Sequence, residues 1–172
     1  MTLVSEPKAV FDSLSKTDSY KQWIEQHPKG FLTHFFCQLD QECNLKSQWE
    51  VGFFEPSTGK ITVLVPLSNG DSEIKPADDV FKKDTAEVEK LNWQEVKVSF
   101  EDAVKIWKEN LPQQFSNETV GDGFIILQTF QEQTVWNFTF ITKALRFINL
   151  KIFAADGKVA SHQTINLVQG KE

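Results

Sequence analysis

The sequence has few of the residues that carry most catalytic and metal chemistry: two cysteines, three histidines and one tyrosine among 172 residues. A structural zinc site needs four such ligands that converge on one ion. The candidate ligands lie close together in the chain but lack the spacing of a zinc motif: His27, His34, Cys37 and Cys43. In a strand over residues 31–37, His34 and Cys37 would point to opposite faces. We therefore predict no metal site, no cofactor and no catalytic residue.

The sequence also lacks the local signals of a nucleophile or of a phosphate-binding loop. A reactive cysteine needs a histidine partner and a cationic setting that lowers its pKa, and neither Cys37 nor Cys43 shows one. Ser161 and His162 are adjacent in a predicted strand, so their side chains face opposite ways. The Gly-Asp-Gly triplet at 121–123 lacks the strand, glycine-rich loop and helix of a phosphate cradle, and we predict a turn there.

An excess of positive charge and a long apolar run are missing as well. The net charge is −6, and the 18 basic residues are interleaved with 24 acidic ones. Nucleic-acid binding depends on clustered lysine and arginine, so we expect no nucleic-acid partner. No apolar run approaches the roughly 20 residues of a membrane span, and the first residues do not resemble a secretory signal. We expect a cytoplasmic protein whose two cysteines stay reduced.

What the sequence does contain is a heavy aromatic load, with 15 phenylalanines and five tryptophans, and an internal similarity. Segments 15–31 and 99–115 have seven identical pairs at a constant offset of 84 residues. Self-similarity of this kind is typical of a repeated structural unit. The identical pairs are Ser15/Ser99, Asp18/Asp102, Lys21/Lys105, Trp23/Trp107, Glu25/Glu109, Pro28/Pro112 and Phe31/Phe115.

Each similar segment has the pattern of a capped amphipathic helix. The serine that opens it, Ser15 or Ser99, is followed three residues later by an aspartate, which is close to a capping box. Apolar residues then recur at helical spacing. A proline, Pro28 or Pro112, is expected to end each helix because it clashes with a continuing turn.

Strands with alternating apolar and polar residues follow each helix, which predicts antiparallel strands with one wet face. Turn residues separate them at 56–59 and at Asp156-Gly157. The prolines and the Asn-Gly-Asp turn within residues 66–90 predict that this segment is the junction between the two halves. The strands are expected near 31–37, 48–54 and 60–65 in the first half, and near 124–130, 135–142, 145–153 and 158–168 in the second.

These patterns predict an α+β fold made of two helix-plus-antiparallel-sheet units related by internal duplication. The first unit covers residues 1–78 and carries an extra N-terminal helix, with Ser5 as its cap and Pro7 in its opening turn. The second unit covers residues 79–172. The tryptophans are expected in the core rather than in a ligand pocket, since aromatic residues dominate core energetics: Trp23, Trp49, Trp107 and Trp136.

Each half also has a hydrophobic strand, a tight glycine turn and a second strand. In the first half Trp49–Phe53 leads to Thr58–Ile61, and in the second Ile148–Ile152 leads to Asp156–Val159. Together with the preceding helix, which opens at 98–103 in the second half, this arrangement resembles the PepSY domain, taken twice. That family is associated with peptidase propeptides, so the resemblance implies a regulatory, protein-binding role.

We therefore predict a non-enzymatic protein-binding or regulatory module, with a protein partner and with binding residues that the sequence does not assign. The alternative is a carrier of a small apolar ligand held between helix and sheet. A third hypothesis is an enzyme that uses Cys37 or a histidine. An exposed edge strand would also be compatible with a homodimer.

Overall fold

The computed structural model of the protein describes residues 3–79 and 88–167. Helices precede each of two runs of strands. The elements in chain order are α1 (Pro7–Leu14), α2 (Asp18–Gln26), β1 (Phe31–Leu39), β2 (Glu50–Glu55), β3 (Lys60–Pro66), β4 (Ser72–Asp79), a 3₁₀ turn (Trp93–Glu95), α3 (Phe100–Gln114), β5 (Val120–Phe130), β6 (Gln133–Thr142), β7 (Arg146–Phe153) and β8 (Val159–Asn166).

The strands form one eight-stranded sheet in the order β4-β3-β2-β1-β5-β6-β7-β8, and all neighbouring strands are antiparallel. The prediction of two repeated helix-plus-sheet units is therefore wrong, although α+β with an antiparallel sheet is right. Strand β1 pairs with β5 from His34↔Gln128 to Leu39↔Gly123, and this ladder makes the sheet continuous. Pairing β1 with β5 removes two sheet edges that separate units would have left exposed.

The predicted division at residues 78 and 79 falls at the end of β4. Residues 80–87, part of the predicted junction, lie outside the described residues, as do residues 1–2 at the start of the first predicted unit and 168–172 at the end of the second. The division into 1–78 and 79–172 stays a prediction.

The helices match the predicted positions, but their ends differ. Ser99 caps α3, and its hydroxyl accepts the N–H of Asp102 at 3.0 Å. Ser15 instead follows the last residue of α1, and Thr17 caps α2. Pro112 lies inside α3, which continues to Gln114, so it does not end that helix.

Helix α1 begins at Pro7, which suits a first helical position because its missing N–H would have no partner there. The residue at its N-cap is Glu6, not the predicted Ser5. The Glu6 carboxylate is used elsewhere: it accepts the N–H groups of Phe100 at 3.0 Å and Glu101 at 3.4 Å, at the start of α3.

Strand β4 lies in residues 66–90, for which the sequence predicts a junction between the two halves and no strand. Its Pro76 has no N–H to donate, and such residues are found in edge strands, which is where β4 lies. The hydroxyls of Thr17 and Ser72 are 2.8 Å apart, and they join the start of α2 to this edge. The triplet at 121–123 lies within β5, so the turn predicted there is wrong.

The core lies between the helices and one face of the sheet. Trp107 of α3 stacks on Phe138 and Phe140, with ring centroids 5.3 and 4.7 Å apart. Trp23 of α2 packs against Phe53 at 5.3 Å. The four tryptophans predicted to be core residues are all buried: Trp23, Trp49, Trp107 and Trp136.

Candidate functional site

The two faces of the sheet differ in what covers them. Phe11 of α1 and Trp23 of α2 contact Phe53, and Trp107 of α3 contacts Phe138, so the three helices lie against the same face. Adjacent strand residues point to opposite faces. The side chains that alternate with Phe53 and Phe138 therefore form a second face, which we call the open face.

The open face carries an apolar patch on four neighbouring strands, β3, β2, β1 and β5. Its position follows from the register, in which Phe36 lies opposite Ile126, Phe54 opposite Ile61, and Val63 opposite Gly52. The rings of Phe36 and Phe124 are 5.4 Å apart. We define the open-face patch by seven residues, all half-buried except the buried Phe54: Phe36, Phe54, Ile61, Val63, Val65, Phe124 and Ile126.

Apolar residues on both faces of these strands are unusual for an antiparallel sheet with one solvated side. Such a sheet normally has polar residues on the side that faces water, and near-continuous apolar runs belong to strands buried on both faces. Strand β5 contains such a run, Phe124–Leu127. Strand β7 is mixed on this face, where Asn149 and Lys151 lie between Phe147 and Phe153.

Charges on the open face are paired or lie at its border. Lys75 Nζ is 3.0 Å from Glu50 Oε1, and Lys46 Nζ is 2.6 Å from Asp122 Oδ2. Lys151 Nζ lies 5.9 Å from the centre of the Phe130 ring. The open face therefore has little excess charge, although the whole chain carries −6.

His34 lies on the open face beside the patch, opposite Gly52 on β2. Its Nδ1 is 2.6 Å from the hydroxyl of Thr33, which is the extra residue of a β-bulge. Burial lowers the pKa of His34, and the nearby Glu50 carboxylate acts in the opposite direction. The histidine is consequently favoured as a neutral ring that fills the space above Gly52.

A cavity of about 290 Å³ lies on the helix side, between α1, α2 and the sheet. This volume is at the lower end of the range for small-molecule sites, roughly 300–1,000 Å³. The described side chains in its lining that carry a polar group are Tyr20, Lys90 and Trp93. The lining residues are Phe11, Tyr20, Ile24, Gly30, Phe31, Leu32, Phe53, Lys90, Leu91 and Trp93.

A second hollow of about 350 Å³ lies where α1 and α3 begin, lined in part by Glu6, Lys97 and Trp136. A helix N-terminus attracts anions because its first N–H groups are unpaired. Here Glu6 already accepts two of those N–H groups. The start of α3 is therefore closed by the protein's own carboxylate.

The histidines and cysteines considered as metal ligands do not come together. His27 caps α2 and stacks on Trp23, with ring centroids 4.7 Å apart. Cys37 is buried on the helix side, opposite to His34 as predicted, and Cys43 is buried in the loop after β1. In the described ranges, no group of three or more His, Cys, Asp or Glu residues is arranged to hold a metal ion.

The cysteines have the wrong electrostatics for a nucleophile. Burial raises the pKa of Cys43 to about 12 and also raises the pKa of Cys37. Both are free thiols. His162 packs at 6.4 Å against Phe115, on the helix side of β8, and Ser161 lies on the other side.

The open-face patch was not predicted from the sequence, although a signal for it was present. We expected every strand to have one wet face. The run Phe124–Leu127 and the pair Phe53-Phe54 break the alternation, and both indicate strands that are apolar on both sides.

The fold defines the chain as an α+β protein with a single antiparallel sheet. No known family model matches the sequence, and no curated protein matches it. The crystal structure of a protein from Clostridium difficile 630, provisionally named a lipoprotein, has a similar fold with a TM-score of 0.50. The two sequences are 13% identical, and the similarity covers 86% of this chain and 90% of that one. At this identity the similarity shows the fold alone.

The helices of the described ranges are too short or too polar to cross a membrane. The longest, α3, has 15 residues. The cytoplasmic location expected from the sequence stays a prediction.

Proposed function

We propose that the protein is a protein-binding module whose docking surface is the open face of the sheet. One observation carries the proposal: four adjacent strands present six half-buried apolar side chains, with the buried Phe54 among them, on the face opposite to α1, α2 and α3. Contiguous apolar patches of several hundred Å² on soluble proteins mark interaction sites. The PepSY resemblance supports the same kind of role and is part of this proposal.

The composition of the patch also suits a protein partner. Two phenylalanine rings, Phe36 and Phe124, lie side by side where β1 meets β5, and aromatic residues are enriched in protein interfaces. Unpaired charge is unfavourable within an interface, and the one carboxylate described opposite Phe36, that of Glu50, is paired with Lys75. Among the described residues, the titratable ring beside the patch is that of His34, which lies half-buried over Gly52. The aromatic and aliphatic side chains of the patch support a role in contact with a partner.

A photo-crosslinking amino acid placed at two positions tests the proposal. Gln128→p-benzoylphenylalanine puts the probe on the open face, opposite His34. Glu109→p-benzoylphenylalanine, on the exposed side of α3, is the matched control. In cells that make the protein, we expect protease-sensitive adducts from Gln128 that are absent from Glu109 and lost in a Phe124→Lys background. No polypeptide adduct at Gln128, or equal adducts at both positions, would rule out docking on this face.

A second candidate function, transport of a small apolar ligand, is favoured by the cavity between helices and sheet. Its walls are mainly aromatic and aliphatic, and it is partly open to solvent. The ligand would be a small apolar molecule held mostly by burial, with Tyr20 or Lys90 meeting a polar end.

Native mass spectrometry of the purified protein tests this second function. Ile24 lines the cavity from α2, so Ile24→Trp would fill part of it. We expect a co-purified small molecule with the wild type and none with Ile24→Trp, while Val104→Trp on the half-buried side of α3 keeps it. A wild-type protein that is always empty, also after incubation with long-chain alcohols and fatty acids, excludes the carrier function.

A further inference from the structure

We infer that the protein bound on the open face is a second copy of this chain, so that two sheets pack face to face about a twofold axis. This inference rests on the proposed docking function and names its partner. Sheets of the same twist pack in an aligned sandwich about 10 Å apart. Two copies of one sheet have the same twist, and a twofold contact uses the same patch on both chains.

The size of the face fits this partner. Eight strands about 4.8 Å apart and roughly 20–25 Å long present a face of roughly 800 Å². Two such faces would bury about 1,600 Å² in total, which is the size of a stable protein interface. A single helix is about 10–12 Å wide and would cover only about a third of the roughly 38 Å across the same eight strands.

The charges of the face also favour a second copy. The charged residues whose side chains are placed on this face or at its border are three lysines and three acids: Lys46, Lys75, Lys151, Glu50, Glu73 and Asp122. Two copies therefore meet with balanced charge, even though each chain carries −6. The same overall charge opposes contact with an anionic lipid surface.

The open face has a polar group on β6 and β7, next to the patch. There the amide of Asn149 donates to Asn137 Oδ1 at 2.6 Å and to Thr139 Oγ1 at 2.9 Å. Beyond this group, Ile141, Phe147 and Ile165 lie opposite one another on β6, β7 and β8 and form a second apolar group on the same face. Apolar side chains on both halves of the face suit a second sheet packed across all eight strands.

The mass of the purified full-length chain in solution, measured by light scattering and analytical ultracentrifugation, tests this inference. We expect a particle of twice the chain mass of 19.7 kDa at micromolar concentration. The inference is overturned if the mass stays at 19.7 kDa at every concentration up to about 200 μM. The dissociation constant of the dimer would then be higher than an interface of this area should give.

Two variants identify the surface, and a third controls for the substitution. Phe124→Lys places a charge in the patch beside Phe36 and should weaken the dimer at least about tenfold, since an unpaired charge is costly to bury. The triple variant Ile61→Thr, Val63→Thr and Val65→Thr keeps β-branched shapes, and it should weaken the dimer similarly even if Phe124→Lys fails to fold. Ile74→Lys, on the helix side of β4 at 44% exposure, should leave the dimer intact.

The outcomes separate this inference from the proposed function. A dimer that resists both patch variants uses another surface, and the inference is wrong. A monomer whose Gln128 probe crosslinks to a polypeptide of another mass also overturns the second copy as partner, but it leaves the docking function standing. If the protein is a monomer and the Gln128 probe crosslinks to no polypeptide, both the second copy as partner and the docking function are excluded.

Discussion

The imidazole ring of His34 lies directly over Gly52, its neighbour on β2, so closely that a Cβ atom at Gly52 would overlap the ring. Gly52→Ala should therefore push His34 out of place and destabilise the fold by about 1–3 kcal/mol, the usual range for overpacking. Urea unfolding measures this free energy. Removing the ring with His34→Ala should cancel most of the cost of Gly52→Ala. Additive effects of the two substitutions would show that the ring does not occupy this place.

His34 should also make stability depend on pH. Burial lowers its pKa below the ordinary value of 6.5, so the unfolded chain binds a proton at a higher pH than the folded protein does. The contribution of His34 to the free energy of unfolding is constant above pH 6.5 and falls as the pH drops below it, by at most about 1.4 kcal/mol per pH unit. The fall stops below the folded pKa.

Urea unfolding at several pH values between about 7.5 and about 5.5 checks this, because the range brackets the titration of histidine. His34→Gln should flatten the dependence, while His162→Gln, which replaces an exposed histidine, should leave it in place. The interpretation is wrong if His34→Gln keeps the full wild-type slope.

Two buried tryptophans should respond differently to the same substitution. Trp136 donates its Nε1–H to the carbonyl of Val98 at 3.0 Å, whereas the Trp107 Nε1 has no hydrogen-bond partner among the described residues. Replacing Trp136 with Phe leaves the Val98 carbonyl short of a donor, while Trp107→Phe removes a buried donor that was unpaired. Trp107→Phe should therefore cost about 1–2 kcal/mol less than Trp136→Phe in urea unfolding. Equal costs would contradict this account of the two sites.

The thiols should be slow to react in the folded protein. With a pKa of about 12, Cys43 has roughly a thousandfold less thiolate at pH 8 than a free cysteine of pKa near 8.5. Cys37 is fully buried as well. Alkylation by iodoacetamide, followed by mass spectrometry, should label both thiols only after unfolding in urea. Fast labelling of Cys37 in the native protein would instead support the hypothesis of an enzyme that uses this thiol.

Local elements were well predicted because their signals are local. Ser99 and the helical spacing of Ala103 and Trp107 indicate α3, and Asp156-Gly157 indicates the turn between β7 and β8, where Gly157 has a φ of 80°. Strand β4 is not predicted from the sequence, because Glu73, Lys75 and Pro76 are residue types that seldom occur in strands. Its stability comes from pairing with β3 and from the contact of Ser72 with Thr17.

The arrangement of the strands was the part that the sequence did not reveal. Alternation tells which side of a strand is apolar, but it does not tell which strand lies beside it. The β1–β5 ladder joins residues about 90 positions apart, such as Phe36 and Ile126, and no local pattern marks it. The similarity at the 84-residue offset predicts two repeated helix-plus-sheet units, and the ladder corrects this to one continuous sheet.

The candidate site was missed for a related reason. Alternation predicts a solvated face for each strand, and in β7 this face is polar at Asn149 and Lys151 but apolar at Phe147 and Phe153. The run Phe124–Leu127 is the exception, since a continuous apolar run indicates a strand that is covered on both sides. The helices cover one side only.

Ile125 and Ile126 offer the most direct test of the central claim, because they are adjacent in β5 and point to opposite faces. The measurement is the rate of thiol alkylation after Ile125→Cys or Ile126→Cys, at low and at high protein concentration. We predict that Ile126→Cys reacts fast in dilute protein and is protected when the protein is concentrated, while Ile125→Cys stays unreactive in both. An Ile126→Cys thiol that is as protected as Ile125→Cys in dilute protein, or that stays fully reactive with the partner bound, would contradict the account.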